Sequence, residues 1–210
     1  DWGFYAPNSF EPILIHNPYA HALSRQIGRY SPRTRWAEVY VNTGTGALSS
    51  SHYMGIYAIE EKVKRSPDRI DIDRLEPEHT TAPQVTGGYV MKIDRSDADE
   101  RVFYAAGQGL VYQDPAGPDI QDQPQRQPQE DYLSNYLNTF YNELYSADWT
   151  NTVTGYPAYI DVDAAIDHHV LNVLTFNVDA LRLSGFMYKP RNGKLTFGPL
   201  WDFDRALYST

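Results

Sequence analysis

The hydrophobic period of this chain changes midway, and that change limits the architectures open to it. RWAEVYVNT (35–43) and YMGIYAIEE (53–61) alternate apolar and polar residues, the two-residue period of a strand with one buried face. GGYVMKID (87–94) reads as a further strand, and RVFYAA and LVYQ flank Gly107-Gln108-Gly109 as arms of a hairpin. Beyond residue 130 the spacing becomes helical. Leu133, Tyr136, Leu137, Phe140, Tyr141 and Leu144 form one stripe, and Val162, Ile166, Val170, Val173 and Leu174 a second, with Asp161 or Asp163 placed to cap it. An earlier segment, NPYAHALSRQIGR (17–29), reads as a helix with Asn17 as cap, Pro18 at the first position and Gly28 at the end. This order of elements predicts an α+β fold, β-rich first and helical afterwards.

The two halves are separated by QDPAGPDIQDQPQRQPQ (113–129), whose glutamines and prolines predict an extended loop or linker. The expected organisation is one domain of two lobes: a β-rich lobe over about 1–115, a linker over 116–130, and a helical lobe over 131–210 that ends in a hairpin. A chain of 210 residues is long enough for the core this requires. Its net charge of −9 argues against general binding to nucleic acid or anionic membranes, which wants a basic surface. No run approaches the ~20 apolar residues of a membrane-spanning helix. Cysteine is absent, which excludes disulfides and thiolate metal sites. Tyrosine, at 17 copies, suits sugar-binding surfaces as well as core packing.

Chemistry concentrates near the end of the chain. GFMYKPRNGKLTFGPLWD contains Asn192-Gly193, a strong signal for a two-residue turn. That turn sets Arg191 against Lys194, Leu183 against Asp202 and Ser184 against Trp201. The connector NVDALRLS (177–184) then lies beside WDFD, and Asp179, Ser184, Asp202 and Asp204 gather at one end of the hairpin. Such hard oxygen donors suit Mg²⁺, Mn²⁺ or Ca²⁺ rather than zinc. Asp202 and Asp204 are two residues apart, so on an extended strand both face one ion. Arg182 and Arg205 are the competing source of positive charge. Protein kinases place an aspartate five residues before an asparagine and a second, metal-binding aspartate after a hairpin; here Asp179, Ser184 and Asp202 take that spacing. His168-His169 lacks a zinc-protease pattern and reads as a core or capping histidine, while Gly44-Thr45-Gly46 lacks the P-loop lysine and reads as a hairpin connection. Ser209 shows no triad spacing.

Taken together, these blocks resemble the spore coat protein H (CotH) kinase family, an atypical branch of the protein-kinase-like fold. YMGIYAIEEKVKRSPDRIDIDRL is similar to the family's Gly-x-Tyr…Glu-Lys-x-Lys-Arg…Arg-x-Asp-Ile block, and TGGYVMKIDR to its Gly-Gly-Tyr…Lys-x-Asp strand. FNVDALRLSGFMYK…GKLTFGPLWDFDRAL is similar to its Asn-x-Asp…Ser…Tyr-Lys…Gly-Pro-x-Trp-Asp-Phe-Asp block, and HALSRQIGRYSPRTRWAEVYVN to the segment that precedes them. The resemblance implies a β-rich N-lobe followed by a helical C-lobe with a terminal hairpin, and phosphoryl transfer from ATP to protein hydroxyl groups with Mg²⁺ or Mn²⁺ (or Ca²⁺). It gives Asp179 the place of the catalytic-loop aspartate, Asp202 that of the metal aspartate, and Asp204 a second ion or the orientation of the first. Lys92 becomes the phosphate-contacting lysine, paired with Glu61 or Glu60, and Trp201 a stacking partner for adenine or a packing residue. Ser184 stands where the best-characterised form carries Asn, at the second metal position. The family implies a secreted or spore-coat protein substrate, an extracellular, cell-surface or spore-coat location, and carbohydrate-binding or dockerin modules in some longer chains. Members usually continue past the WDFD region. Two rival readings remain: a non-catalytic binding module of the same fold, and a glycosidase using Asp202 with Asp204 or Asp179.

Overall fold

The computed structural model describes residues 1–7, 9–180 and 182–208. It has the mixed α+β character expected, with its strands in two antiparallel sheets. The first sheet runs in the order β1-β3-β2, from β1 (Trp2–Tyr5), β2 (Thr34–Tyr40) and β3 (Tyr53–Glu61). The alternation read from the sequence does not set the burial of β3, where Ala58, Glu60 and Glu61 are buried while Tyr53, Met54 and Ile56 are exposed. Ala58 faces both Tyr5 and Trp36 across the ladder.

Helix α1 (His16–Gln26) is joined to that sheet by His21, whose Nε2 lies 2.8 Å from Glu60 Oε1 of β3. It starts one residue earlier than the sequence suggests, and Asn17 is not its cap: Ile15 holds that position without a side-chain bond. The Asn17 Oδ1 instead accepts the backbone N–H of Phe203, so the residue serves tertiary rather than local structure. Gly28 ends the helix as expected, at φ +86°, a left-handed conformation that side chains disfavour.

The second sheet has the order β5-β6-β4-β7-β8. Its members are β4 (Tyr89–Ile93), β5 (Val102–Ala105), β6 (Gln108–Asp114), β7 (Gly185–Lys189) and β8 (Thr196–Phe197). The β5–β6 turn is Ala106-Gly107, with φ of 55° and 71°, so Gln108 and Gly109 belong to the strand rather than the turn. Gly87, before β4, is required by close approach: a Cβ there would lie 2.1 Å from the carbonyl carbon of Pro190.

The segment 113–129 is not extended. It carries α2 (Gly117–Gln121), a 3-10 turn at Pro124–Arg126 and the start of α3 (Gln127–Leu144). Pro118, Pro124 and Pro128 fall in the first turns of these elements, where a missing N–H costs nothing, and Pro115 precedes α2. Its polar residues are buried partners: Arg126 Nε donates to Gln129 Oε1 at 2.7 Å, and Gln129 Nε2 donates to the carbonyls of Glu76 (2.8 Å) and His79 (3.0 Å). Core contacts cross the segment, joining Leu75, Tyr89 and Tyr112 to Leu133 and Leu137 of α3. The sheet crosses it too, since all five residues of β7 pair with β4.

Helix α4 (Val162–Leu174) is capped by Asp161, whose Oδ1 accepts the Ala164 N–H at 3.0 Å. The stripe expected in the core faces outward: Val173 and Leu174 are each 63% exposed, whereas Leu171 is 4% exposed. Leu171, with Ala20 of α1, packs on Leu200, Phe203 and Ala206, and so seats the end of the chain between two helices. The terminal hairpin is out of the expected register by one residue, with Tyr188 facing Thr196 and Met187 facing Phe197. Its turn spans Pro190 to Gly193, closed by Gly193 N–H to Pro190 O at 3.1 Å. The slip arises because Leu195 leaves the ladder for residues 159–161: its N–H donates to Tyr159 O (2.8 Å), and its carbonyl accepts from Asp161 (2.9 Å).

Candidate active site

Ser184 immediately precedes β7, and Asp202 follows the hairpin's return; both hold positive φ, 54° and 58°. Such backbone is strained for non-glycine residues and persists where surrounding structure fixes it. Despite the register slip the two side chains meet, Ser184 Oγ donating to Asp202 Oδ2 at 3.3 Å. Burial first, then Asp204, Asp94 and Glu60, push the Asp202 carboxyl up to about 6, against the Ser184 hydroxyl, which favours the ionised form. Asp204 is also raised, chiefly by burial and further by Asp179, with Arg205 and His16 opposing.

Asp179 lies in the turn after α4, where its N–H donates to Asn177 Oδ1 at 3.2 Å. Its carboxylate is paired with Arg182, and its Oδ2 lies 4.0 Å from Arg205 Nε. Arg205 therefore bridges the Asp179 turn to the end of the WDFD segment. Of the four oxygen-bearing residues, Ser184 and Asp202 meet directly, while Asp179 faces Arg205, the residue that follows Asp204.

Lys92 does not pair with Glu61 or Glu60. Its Nζ lies 2.8 Å from Glu100 Oε1. Both glutamates belong to the other sheet and are satisfied there. Glu60 meets His21 Nε2 at 2.8 Å. Glu61 accepts Arg33 N–H at 3.0 Å and lies 3.5 Å from Arg69 Nε. Burial raises the Glu61 carboxyl, but Arg33 and Arg69 together outweigh it and hold the group below the usual carboxylate range. Lys92 and Trp201 each neighbour Phe186, one as a ladder partner and the other by ring packing. Lys92 faces Phe186 across the β4–β7 ladder, and Trp201 packs edge-on against the same ring, with centroids 6.2 Å apart.

Sequence reasoning missed the N-terminal contribution. Glu11 Oε1 accepts the His16 N–H at 2.5 Å, and His16 Nδ1 lies 3.2 Å from the Asp204 carbonyl. The Tyr5 hydroxyl is pushed up by burial and then by Asp204, Asp202, Glu60 and Glu11. No spacing rule connects residues so far apart in the chain; the Asn17–Phe203, Arg205–Phe10 and His16–Asp204 contacts reveal the neighbourhood. His168 is a core histidine as expected, buried and held down at about 4 by desolvation, then by His169. The Gly44 loop joins β2 to β3, closed by Gly44 N–H to Asn42 Oδ1 at 2.8 Å. Ser209 lies outside the described residues.

In comparison with protein families, the model described as CotH kinase protein matches residues 7–210. The chain belongs to the CotH kinase family. Comparison with curated proteins found no match. As a CotH family member the chain is kinase-like, and such a fold implies ATP and a divalent cation in general. Among the described residues no three His, Asp or Glu side chains meet at ligating distance. The half-buried Asp202 and Asp204 carboxylates are hard oxygen donors of the kind a divalent cation takes. No helix among the described residues is long and apolar enough to cross a membrane.

Proposed function

We propose that this CotH-family chain transfers a phosphoryl group from ATP to hydroxyl groups of a protein substrate, with Mg²⁺ or Mn²⁺ as its cation. The observation that carries the reading is the Ser184–Asp202 contact of 3.3 Å, with Asp179 tied to the same region through Arg205. On this reading Asp202 and Asp204 hold the cation with Ser184 beside them, and the cation neutralises phosphate charge. Asp179 orients the acceptor hydroxyl and takes its proton as the oxygen attacks. Lys92 and Trp201 serve the nucleotide from either side of Phe186, Lys92 toward phosphate and Trp201 toward the base. Glu61 acts through the arginines it binds rather than through Lys92. The substrate is a secreted or spore-coat protein and the setting extracellular, at the cell surface or in the spore coat. Carbohydrate-binding or dockerin modules in a longer chain would fit that setting.

One observation favours a second reading, a non-catalytic binding module. The Asp179 carboxylate is held by Arg182 and faces Arg205, so its oxygens are engaged by guanidinium groups rather than free to meet an acceptor hydroxyl. Incubation with labelled ATP, Mn²⁺ and a panel of secreted proteins separates the two. Label on protein, lost in Asp179→Asn, supports the kinase. No transfer and no ATP binding, with retention on a polysaccharide or protein partner, would establish the module.

A further inference from the structure

The end of α3 and the loop that follows it carry two pairs of aromatic rings. Tyr141 and Tyr145 meet edge-on with centroids 5.2 Å apart, and Trp149 stacks with Tyr156 at 5.8 Å and 23°. Tyr156 is packed against the main core, whereas Tyr145 is 75% exposed and Trp149 50%. The indole thus rests on an anchored ring and leaves half its surface to solvent. A single exposed apolar side chain is ordinary, but several in one short stretch mark a binding surface. Four residues separate Tyr145 from Trp149, so their Cα atoms lie within ~14 Å of each other, inside the reach of one extended ligand.

The loop is built to hold the indole still. Asn151 N–H donates to the Asp148 carbonyl (2.8 Å), Gly155 N–H to the Asn151 carbonyl (2.9 Å) and Tyr156 N–H to the Trp149 carbonyl (2.9 Å). The Asn151 Oδ1 accepts the Val153 N–H at 2.8 Å and the Thr154 N–H at 3.3 Å. Gly155 is required by close approach, since a Cβ there would lie 2.2 Å from the Trp149 carbonyl oxygen. Rings fixed before binding lose little freedom on contact.

Charge narrows the choice of partner. No Lys or Arg stands between Arg126 and Arg182 in the sequence. Lys194 reaches the loop from the hairpin, and its Nζ donates to the Pro157 carbonyl at 2.6 Å. A surface so poor in cations offers little to phosphate, nucleic acid or an acidic protein. Two carboxylates within 141–156, Glu143 and Asp148, are too few to gather a strongly basic partner. We propose that Tyr145 and Trp149 form a docking surface for a neutral polysaccharide. The rings stack on the apolar C–H faces of its sugar units, and exposed Asp148 and Thr150 supply hydrogen-bond partners for its hydroxyls. This surface adjoins the turn end of the β7–β8 hairpin, where Lys194 meets Pro157 and Leu195 meets Tyr159, while Ser184 and Asp202 lie at the other end. Glycan docking there is independent of phosphoryl transfer and leaves the candidate active site open.

The experiment is a calorimetric titration of the whole chain with cellohexaose, xylohexaose, mannohexaose and chitohexaose. Wild type, Trp149→Ala, Tyr145→Ala and Tyr104→Ala are compared, each with a melting curve; Tyr104 is an exposed ring of β5. The expected result is binding of at least one sugar by wild type, about tenfold or more weaker in Trp149→Ala, weakened in Tyr145→Ala and unchanged in Tyr104→Ala. Equal affinity in wild type and folded Trp149→Ala overturns the proposal, as does an equal loss in Tyr104→Ala. If Trp149→Ala fails to fold because Tyr156 loses its stacking partner, Tyr145→Ala decides, and unchanged affinity there overturns it. Absence of binding to all four sugars also overturns it. Self-association in sedimentation that Trp149→Ala abolishes, without sugar binding, assigns the rings instead to a second copy of the chain.

Discussion

Asp202 and Ser184 are joined by a single hydrogen bond, and each sits in left-handed backbone, so the two define the site at the scale of one residue. Replacing Asp202 by Asn removes a carboxylate from the proposed cation site. Calorimetry with ATP and Mn²⁺ should then show affinity weaker by about 3 kcal/mol, roughly 100-fold; equal affinity would remove the metal role. On the proposed reading the Asp179 carboxylate acts on the acceptor and not on the nucleotide, so Asp179→Asn should leave ATP binding near wild type while phosphoryl transfer falls about 10²–10⁴-fold. Collapse of ATP binding in that variant would make Asp179 a ligand instead. Ser184→Asn has a structural argument in its favour as well as a chemical one. Asparagine tolerates φ near 54° better than most side chains and extends a carbonyl oxygen past the serine hydroxyl. Mn²⁺-dependent autophosphorylation should rise with no loss in melting temperature, and initial rates across a range of Mn²⁺ concentrations would check it.

At the scale of elements, α4 shows why a helical stripe alone does not say which face is buried. The helix carries two apolar faces. Leu171 and Ala164 lie against the chain end and the core, while Val170, Val173 and Leu174 face outward. Leu171→Ala should therefore cost about 2–5 kcal/mol of stability, whereas Val173→Lys should change it by less than about 0.5 kcal/mol. Chemical denaturation of both variants measures the contrast, and a large loss for Val173→Lys would mean that the outer face is covered. The segment 113–129 shows a related effect. Gln and Pro read as a linker when taken one at a time, yet Arg126 and Gln129 are buried because each satisfies the other and the carbonyls of 75–79. Burial of polar residues follows from partners brought from elsewhere in the chain, which local composition does not report.

For the whole molecule, acid stability offers a test that does not involve the cation. His168 is buried against Phe197, and desolvation lowers its pKa from 6.5 to about 4. Between these values the unfolded chain binds more protons than the folded one, so this residue's contribution is intact above 6.5 and lost as pH falls toward 4. The loss amounts to at most about 3 kcal/mol, and His168→Phe should flatten that part of the pH–stability curve in urea melts. What the sequence by itself determined was local: strand and helix periods, the Gly28 stop, the Asp161 cap, and the blocks that mark a CotH kinase family member, since each depends on neighbours within a few residues. Tertiary structure decided the rest. Leu195 pairs with residues 159–161 and shifts the hairpin by one residue; β7 joins β4 across a segment that reads as a linker; Lys92 meets Glu100 while Glu60 and Glu61 are claimed by His21, Arg33 and Arg69. His16 comes to lie beside the Asp204 carbonyl because α1 and the chain end share one core through Ala20, Leu171 and Phe203. Periodicity is a property of adjacent residues, whereas the choice of ion-pair and ladder partners is a competition among distant groups that packing alone resolves.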